Sequence, residues 1–234
     1  MTPEAISTGV GHVLFTRTRR PVFKWTQYLP AYDAQFDRYR SGFPLADGGT
    51  RPLRVLEIGV LNGGSLQLWH EYFGTDAEIV GIDVNPDCAK FEELGVTVRI
   101  GSQADRAFLL SVAKEMGTID IIIDDGSHIG QDQRVSFETL FPIMSDGGVY
   151  AVEDLHTSYW IDYGGSMRGR KSFIGMVKNL IDDMHSWYHP HGQSVPVDAA
   201  HSVSQISIYD SVVFIHKASK PKPANFVYTP HLPI

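Results

Sequence analysis

From residue 53 onward, short apolar runs alternate with longer mixed stretches. Runs at 53–58, 79–83, 96–100, 119–124 and 148–153 have almost no polar interior, the pattern of strands covered on both faces. The intervening segments, from Ser65 to about Phe73 and at 106–115 and 131–141, read as helices. Strands and helices alternating at this spacing predict an α/β fold with a doubly wound, mainly parallel sheet. Residues 203–209 and 212–216 flank Asp210-Ser211, which predicts an antiparallel hairpin at the sheet edge.

Outside that core the pattern is looser. Tyr32, Phe36 and Tyr39 recur at helical spacing and predict a helix whose aromatic stripe packs on the sheet or meets a substrate. Ser41-Gly42-Phe43-Pro44 ends it, and Asp47-Gly48-Gly49-Thr50 is a turn. The first 20 residues are weakly patterned, and we expect them to be mobile or folded over a neighbour. A helix at 172–187 carries Phe173, Val177, Leu180, Ile181 and Met184 on one face and stops at His189-Pro190-His191-Gly192. The tail from Ser219, with Pro221, Pro223, Pro230 and Pro233, reads as extended and suited to lying on another subunit. The expected organisation is one domain: an extension over 1–50, the main body over 51–218 and a tail over 219–234.

Composition narrows the function classes. The chain has 234 residues, 43% of them hydrophobic, enough for one large core. With 20 basic against 27 acidic residues it lacks the basic stripe of a nucleic-acid binder. No run approaches a membrane span, and Cys88, the single cysteine, excludes an internal disulfide, so a cytoplasmic setting is expected. The aromatic N-terminal helix and the tail make a homo-oligomer the expectation.

Candidate chemistry gathers at the ends of the predicted strands. Gly59, Gly63 and Gly64 turn the chain between the first strand and its helix, and Ser65 sits near the helix start as a possible cap. Free N–H groups there attract an anion, while Asp83, ending the second strand, suits two ribose hydroxyls. Together they point to a nucleoside-bearing cofactor. Asp125, Glu153 and Asp154 end two further strands and offer only oxygen, which suits a hard divalent cation such as Mg²⁺. His128, three residues beyond Asp125, reaches the same crevice if the Gly126-Ser127 turn folds back and there serves as a general base; His156 competes for that role or supports it. Tyr159 and Trp160 either wall a sugar ring or anchor their loop.

A mainly parallel sheet closed by a late hairpin resembles the class I S-adenosylmethionine-dependent methyltransferases. Leu56-Glu57-Ile58-Gly59 with Gly63-Gly64-Ser65, Gly81-Ile82-Asp83, Ile123-Asp124-Asp125-Gly126-Ser127-His128 and the stretch from Glu153-Asp154 to Tyr159-Trp160 sharpen the likeness. In that order they resemble the metal-dependent macrolide and sugar O-methyltransferases of the mycinamicin type and, more distantly, the cephalosporin-hydroxylase-like group.

The resemblance implies Mg²⁺-assisted transfer of a methyl group from S-adenosylmethionine to a sugar hydroxyl of a glycosylated natural product or surface glycan. It implies that Glu57, Gly59, Gly63 and Ser65 surround the methionine moiety and that Asp83 holds the ribose. Ser102 and Gln103 take the position of adenine contacts, and Asp124 faces either the cofactor or the core. Asp125, Glu153 and Asp154 would hold the metal, with Asp125 and His128 at the reacting centre and His156, Tyr159 and Trp160 toward the acceptor. Two other classes remain open: an accessory S-adenosylmethionine-binding protein without turnover, and a nicotinamide-dependent oxidoreductase, whose fingerprint lacks a glycine here.

Overall fold

A run such as Ile121-Ile122-Ile123 has no polar face to offer solvent, and it lies at the centre of a seven-stranded sheet. The computed structural model describes residues 9–189 and 202–228. Two helices, α1 (Gly9–Thr16) and α2 (Tyr28–Phe36), precede a small antiparallel pair, β1 (Phe43–Pro44) and β2 (Thr50–Arg51). The main body follows as β3 (Arg54–Ile58), α3 (Gly64–Phe73), β4 (Glu78–Asp83), β5 (Thr97–Ile100), α4 (Arg106–Met116), β6 (Ile121–Asp124), α5 (Gly130–Leu140) and β7 (Val149–Val152). It closes with α6 (Phe173–Met184), β8 (Val203–Tyr209) and β9 (Val212–Lys217).

The strand order is β5-β4-β3-β6-β7-β9-β8. The first five strands are parallel, and β9 and β8 are antiparallel to their neighbours, as the hairpin pattern predicts. Successive strands are added to one side of β3 up to β5 and to the other side from β6 on, and this switch opens a crevice at the C-terminal ends of β3 and β6. Side chains alternate across the sheet. Val55, Ile121, Ile123, Val149 and Ala151 pack under residues of α1, α2 and α3. Leu56, Ile58, Ile122, Tyr150 and Val152 pack under α4, α5 and α6.

Residues 9–50 are more ordered than their pattern suggests. Helix α1 has eight residues, too few to persist alone. It is held by burial of Val10 and Val13 and by the Val10 N–H donating to Asp33 Oδ1 at 2.8 Å. Helix α2 starts earlier than expected, at Tyr28, because Pro30 sits in its first turn, where a missing N–H costs nothing. Tyr28, Tyr32, Phe36 and Tyr39 are all fully buried, so the aromatic stripe packs on the sheet. Arg51 clasps Asp120 through two hydrogen bonds of 2.7 and 2.6 Å and fastens the small pair to the base of the sheet. The 3-10 run Pro86–Leu94, which no periodicity announced, is started by Asn85, whose side chain accepts from the Asp87 N–H at 3.0 Å. Pro190, His191, Gly192, Pro230 and Pro233 lie outside the described residues. No described helix is long and apolar enough to cross a membrane.

Candidate active site

Strand alternation brings together what the sequence scatters. Glu57 has the same parity as Val55, Glu153 the same as Val149 and Ala151, and Asp125 follows Ile123 just past the end of β6. All three therefore turn toward the face covered by α1 to α3. Glu57 and Glu153 are buried. Burying carboxylates this way is costly without a counter-charge, and the chain supplies one that the pattern did not reveal.

That counter-charge is Lys24. Its ammonium is 1% exposed and donates to Asp125 Oδ2 at 2.6 Å and to both oxygens of Glu153 at 2.8 Å, with Glu57 Oε1 at 3.9 Å. Burial opposes the charge on Lys24, but Asp125, Glu153 and Glu57 together hold its pKa above the ordinary lysine value. Burial, then the Asp125 carboxylate, push Glu153 up to about 8, with Lys24 pulling the other way. Burial likewise raises Glu57 to about 7 against Lys24 and the Trp69 N–H. Tyr32 donates to Glu153 Oε1 at 2.6 Å. Tyr28 and Trp25 both reach Asp154 Oδ1, at 2.8 and 3.1 Å.

His128 and Asp154 complete the cluster from two backbones held at positive φ, 57° and 53°. The fold-back of the Gly126-Ser127 turn puts His128 Nε2 at 3.6 Å from Asp154 Oδ2 and 3.9 Å from Asp125 Oδ1. Ligand atoms of Asp125, His128 and Asp154 all lie within 4.8 Å of one another. His128 Nδ1 is buried and has no hydrogen-bond partner among the described residues.

This cluster opens into a cavity of about 380 Å³ at the switch point. Gly59, Ser65, Asp83, Ser102 and Gln103 line it from one side, and Asp125, His128 and Asp154 from the other. At Gly59, φ is 98° and an added Cβ would lie 2.2 Å from the Asp125 carbonyl, so only glycine lets β3 and β6 end so close together. Asp83 accepts the N–H groups of Val60, Leu61 and Asn85, at 2.9, 3.1 and 2.8 Å. These bonds hold its pKa below the usual carboxylate range although burial opposes them.

Several expected roles change. Glu57, Gly63 and Glu153 do not line the cavity, Glu153 lying behind the Lys24 ammonium, and Ser65 does not cap α3; its hydroxyl donates to Glu57 Oε2 at 2.9 Å while Trp69 Nε1 donates to Oε1 at 3.0 Å. Asp124, on the opposite sheet face, is fully buried and meets Gln103, Ser136 and Tyr150 rather than the cavity. It acts there through Gln103, whose Oε1 accepts the Ser127 N–H at 2.6 Å. His156 bonds Ser211 through Nδ1 at 2.6 Å and lines, with Tyr159, a second cavity of about 360 Å³ between α6 and the hairpin. Trp160 is exposed and packs edge-on against His156, whose other side meets Trp25. The sequence reading missed Lys24, Trp25, the tyrosine hydroxyls, Asp132, which borders the cavity, and Pro21, Val22 and Phe23, which cover its mouth. A lone lysine between Phe23 and Trp25 was the one trace of them.

No family model matches the chain. It is 37% identical over 205 residues to an 8-demethyl-8-(2-methoxy-alpha-L-rhamnosyl)-tetracenomycin-C 3'-O-methyltransferase of Streptomyces olivaceus, covering 82% of this chain and 50% of that protein. Against the mycinamicin VI 2''-O-methyltransferase of Micromonospora griseorubida it is 33% identical over 232 residues, 92% of this chain and 55% of the other. The structure of MycE methyltransferase in complex with Mg, SAH and mycinamycin VI superposes with a TM-score of 0.77 at 31% identity, over 95% of this chain and 56% of that one. The chain is a class I methyltransferase in fold and a relative of the antibiotic-sugar O-methyltransferases. It spans about half the length of the curated relatives it matches. A caffeoyl-CoA O-methyltransferase-like protein from Staphylococcus aureus, 17% identical with a TM-score of 0.50, shares the fold alone.

Proposed function

We propose that this protein is a Mg²⁺-dependent O-methyltransferase that moves the methyl group of S-adenosylmethionine to a sugar hydroxyl of a glycosylated natural product. The observation that carries the reading is the shared cavity: residues suited to a nucleoside and residues suited to a hydroxyl face each other across one sheet edge. The relatives support it, since their names specify methylation of sugars on tetracenomycin and mycinamicin.

The residues present fit both groups. An ammonium already stands among Asp125 and Glu153 as a stand-in cation, and the donors are oxygens, which suits Mg²⁺. Asp125, Glu153 and Asp154 would hold the ion. When bound, S-adenosylmethionine supplies an electrophilic methyl and Mg²⁺ a Lewis acid that acidifies a hydroxyl. Asp83, anchored by three backbone N–H groups, keeps acceptor capacity for the ribose at the end of β4. Ser102 and Gln103 sit where adenine contacts would fall, and Gln103 is itself fixed by Asp124.

His128 takes the hydroxyl proton. Its Nε2 faces the carboxylates that would gather around the acceptor, and their negative charge stabilises the imidazolium that forms. His156, held by Ser211 outside the main cavity, serves better as the floor beneath Trp160 in an aromatic rim for the sugar. Self-association and a cytoplasmic setting belong to the same reading; exposed Phe226, Val227 and Tyr228 on the tail support the first, and the single cysteine is consistent with the second. Turnover of a glycoside panel with labelled S-adenosylmethionine tests the proposal: EDTA should abolish methylation and Mg²⁺ restore it. Full activity in excess EDTA would refute the metal's part.

A further inference from the structure

The three protons of the Lys24 ammonium are matched by three acceptors, Asp125 Oδ2 and the two oxygens of Glu153. Two of the three residues expected to hold the cation are therefore already engaged by a positive charge from the chain itself. The third is engaged by the next residue along: Trp25 Nε1 donates to Asp154 Oδ1. A lysine this deeply buried is rare, and a divalent ion a few ångströms away would repel it strongly.

Lys24 and Trp25 end a strap, residues 19–25, that crosses the mouth of the cofactor cavity. Of the rest of the strap, Val22 is half-buried against the core and Arg20 lies over the Phe91 ring, while the polar contacts are at the surface. The Arg19 N–H donates to Gln67 Oε1 at 3.0 Å, and Arg20 pairs with exposed Glu93. Pro21 passes directly over the start of α3, its carbonyl 2.1 Å from where a Cβ on Gly64 would stand. Phe23 is 69% exposed and Trp25 53%. Lys24 is the most deeply buried side chain of the segment, and Pro21, Val22 and Phe23 wall the cavity.

We propose that Lys24 is a tethered competitor of the divalent cation, so that cation binding at Asp125 and Glu153 expels its ammonium and loosens the strap over the cofactor cavity. This rests on the reading of the site as metal-dependent and adds a device to it: cation binding and access to the cofactor cavity become linked through one side chain. A partner with no charge at position 24 removes the competition and leaves the ligands in place.

The test uses the full chain and Mn²⁺ as probe. Calorimetry should show Lys24→Met binding Mn²⁺ about ten- to a hundredfold more tightly than the unaltered protein, the size expected from removing one unit charge at close range. Limited chymotrypsin digestion should show cleavage after Phe23 and Trp25 speeding up when Mn²⁺ is added to the unaltered protein, and already fast in Lys24→Met without it. Equal or weaker Mn²⁺ affinity in the variant would overturn the proposal, as would strap cleavage indifferent to Mn²⁺ in the unaltered protein. If Lys24→Met is less stable without metal, the larger rise of its Tm with added Mn²⁺ gives the same comparison, and an equal rise overturns it. S-adenosylhomocysteine binding in the same samples separates the two levels. Binding of that product analogue with no change in Mn²⁺ affinity defeats the competitor alone, whereas no binding of either probe by either protein defeats the functional reading beneath it.

Discussion

The two faces of the central sheet both bury a carboxylate at the end of a strand, and they treat it in opposite ways. On the α4 to α6 face, Asp124 is met by neutral donors: Gln103 Nε2 at 3.1 Å, Ser136 Oγ at 2.6 Å and Tyr150 OH at 3.3 Å. On the other face Glu153 is met by an ammonium and a phenol, with Asp125 and Glu57 close by. A ring of neutral donors satisfies one carboxylate and has no capacity left over. A group of carboxyls around one ammonium, two of them holding their protons more tightly than usual, can release those protons as a divalent cation binds and become its ligands. The first arrangement is a structural joint that fixes Gln103 and the turn at Ser127; the second is a site.

The largest effect that would sharpen this contrast lies at His128, which belongs to the ionic side. His128→Ala should lower kcat roughly 10²- to 10⁴-fold, the range of a general base, with S-adenosylhomocysteine affinity unchanged. Unaltered kcat would move the base elsewhere, and His156 would be the first place to look.

On the neutral side the effect should fall on folding. Asp124→Ala leaves the donors of Gln103, Ser136 and Tyr150 unmatched in a buried setting and should cost about 1–3 kcal/mol in denaturant unfolding. A stability equal to that of the unaltered protein would show that the joint carries nothing.

Much of this contrast was legible in the sequence and part of it was not. The apolar runs, their order and the closing hairpin were readable because strands covered on both faces leave an unbroken hydrophobic signature. Strand parity also separates Asp124 from Asp125 before any coordinates are seen. Lys24 left no such mark: it is one residue in an irregular segment, and its burial depends on where that segment crosses the sheet edge. Tyr32 was readable as a packing residue by its spacing and Tyr28 was not, and the hydroxyls that reach Asp154 and Glu153 have no period to betray them. Helix α1 was hidden because its eight residues are stabilised by α2 and Asp33 rather than by their own pattern.

A smaller effect follows from the raised carboxyls of the ionic side. Glu57 titrates at about 7 against an ordinary 4.5, so its neutral form is favoured in the fold. Its contribution to stability is then complete below pH 4.5 and lost as pH rises through 7; Glu153 extends the loss toward 8. Chemical denaturation in EDTA across this range should show the unaltered protein losing more stability than Glu57→Gln, whose amide does not titrate. Parallel curves for the two would remove burial as the cause of the shift.

Asp124 and Asp125 are adjacent, and replacing either with Asn deletes one charge and little volume. Mn²⁺ affinity measured by calorimetry on the two variants therefore tests most directly whether one face is a joint and the other a cation site. Asp125→Asn should weaken binding by more than about tenfold, as expected for loss of a unit charge at the ion, while Asp124→Asn leaves it unchanged. Equal losses in both variants, or a larger loss for Asp124→Asn, would contradict the division of the sheet into a neutral and an ionic face.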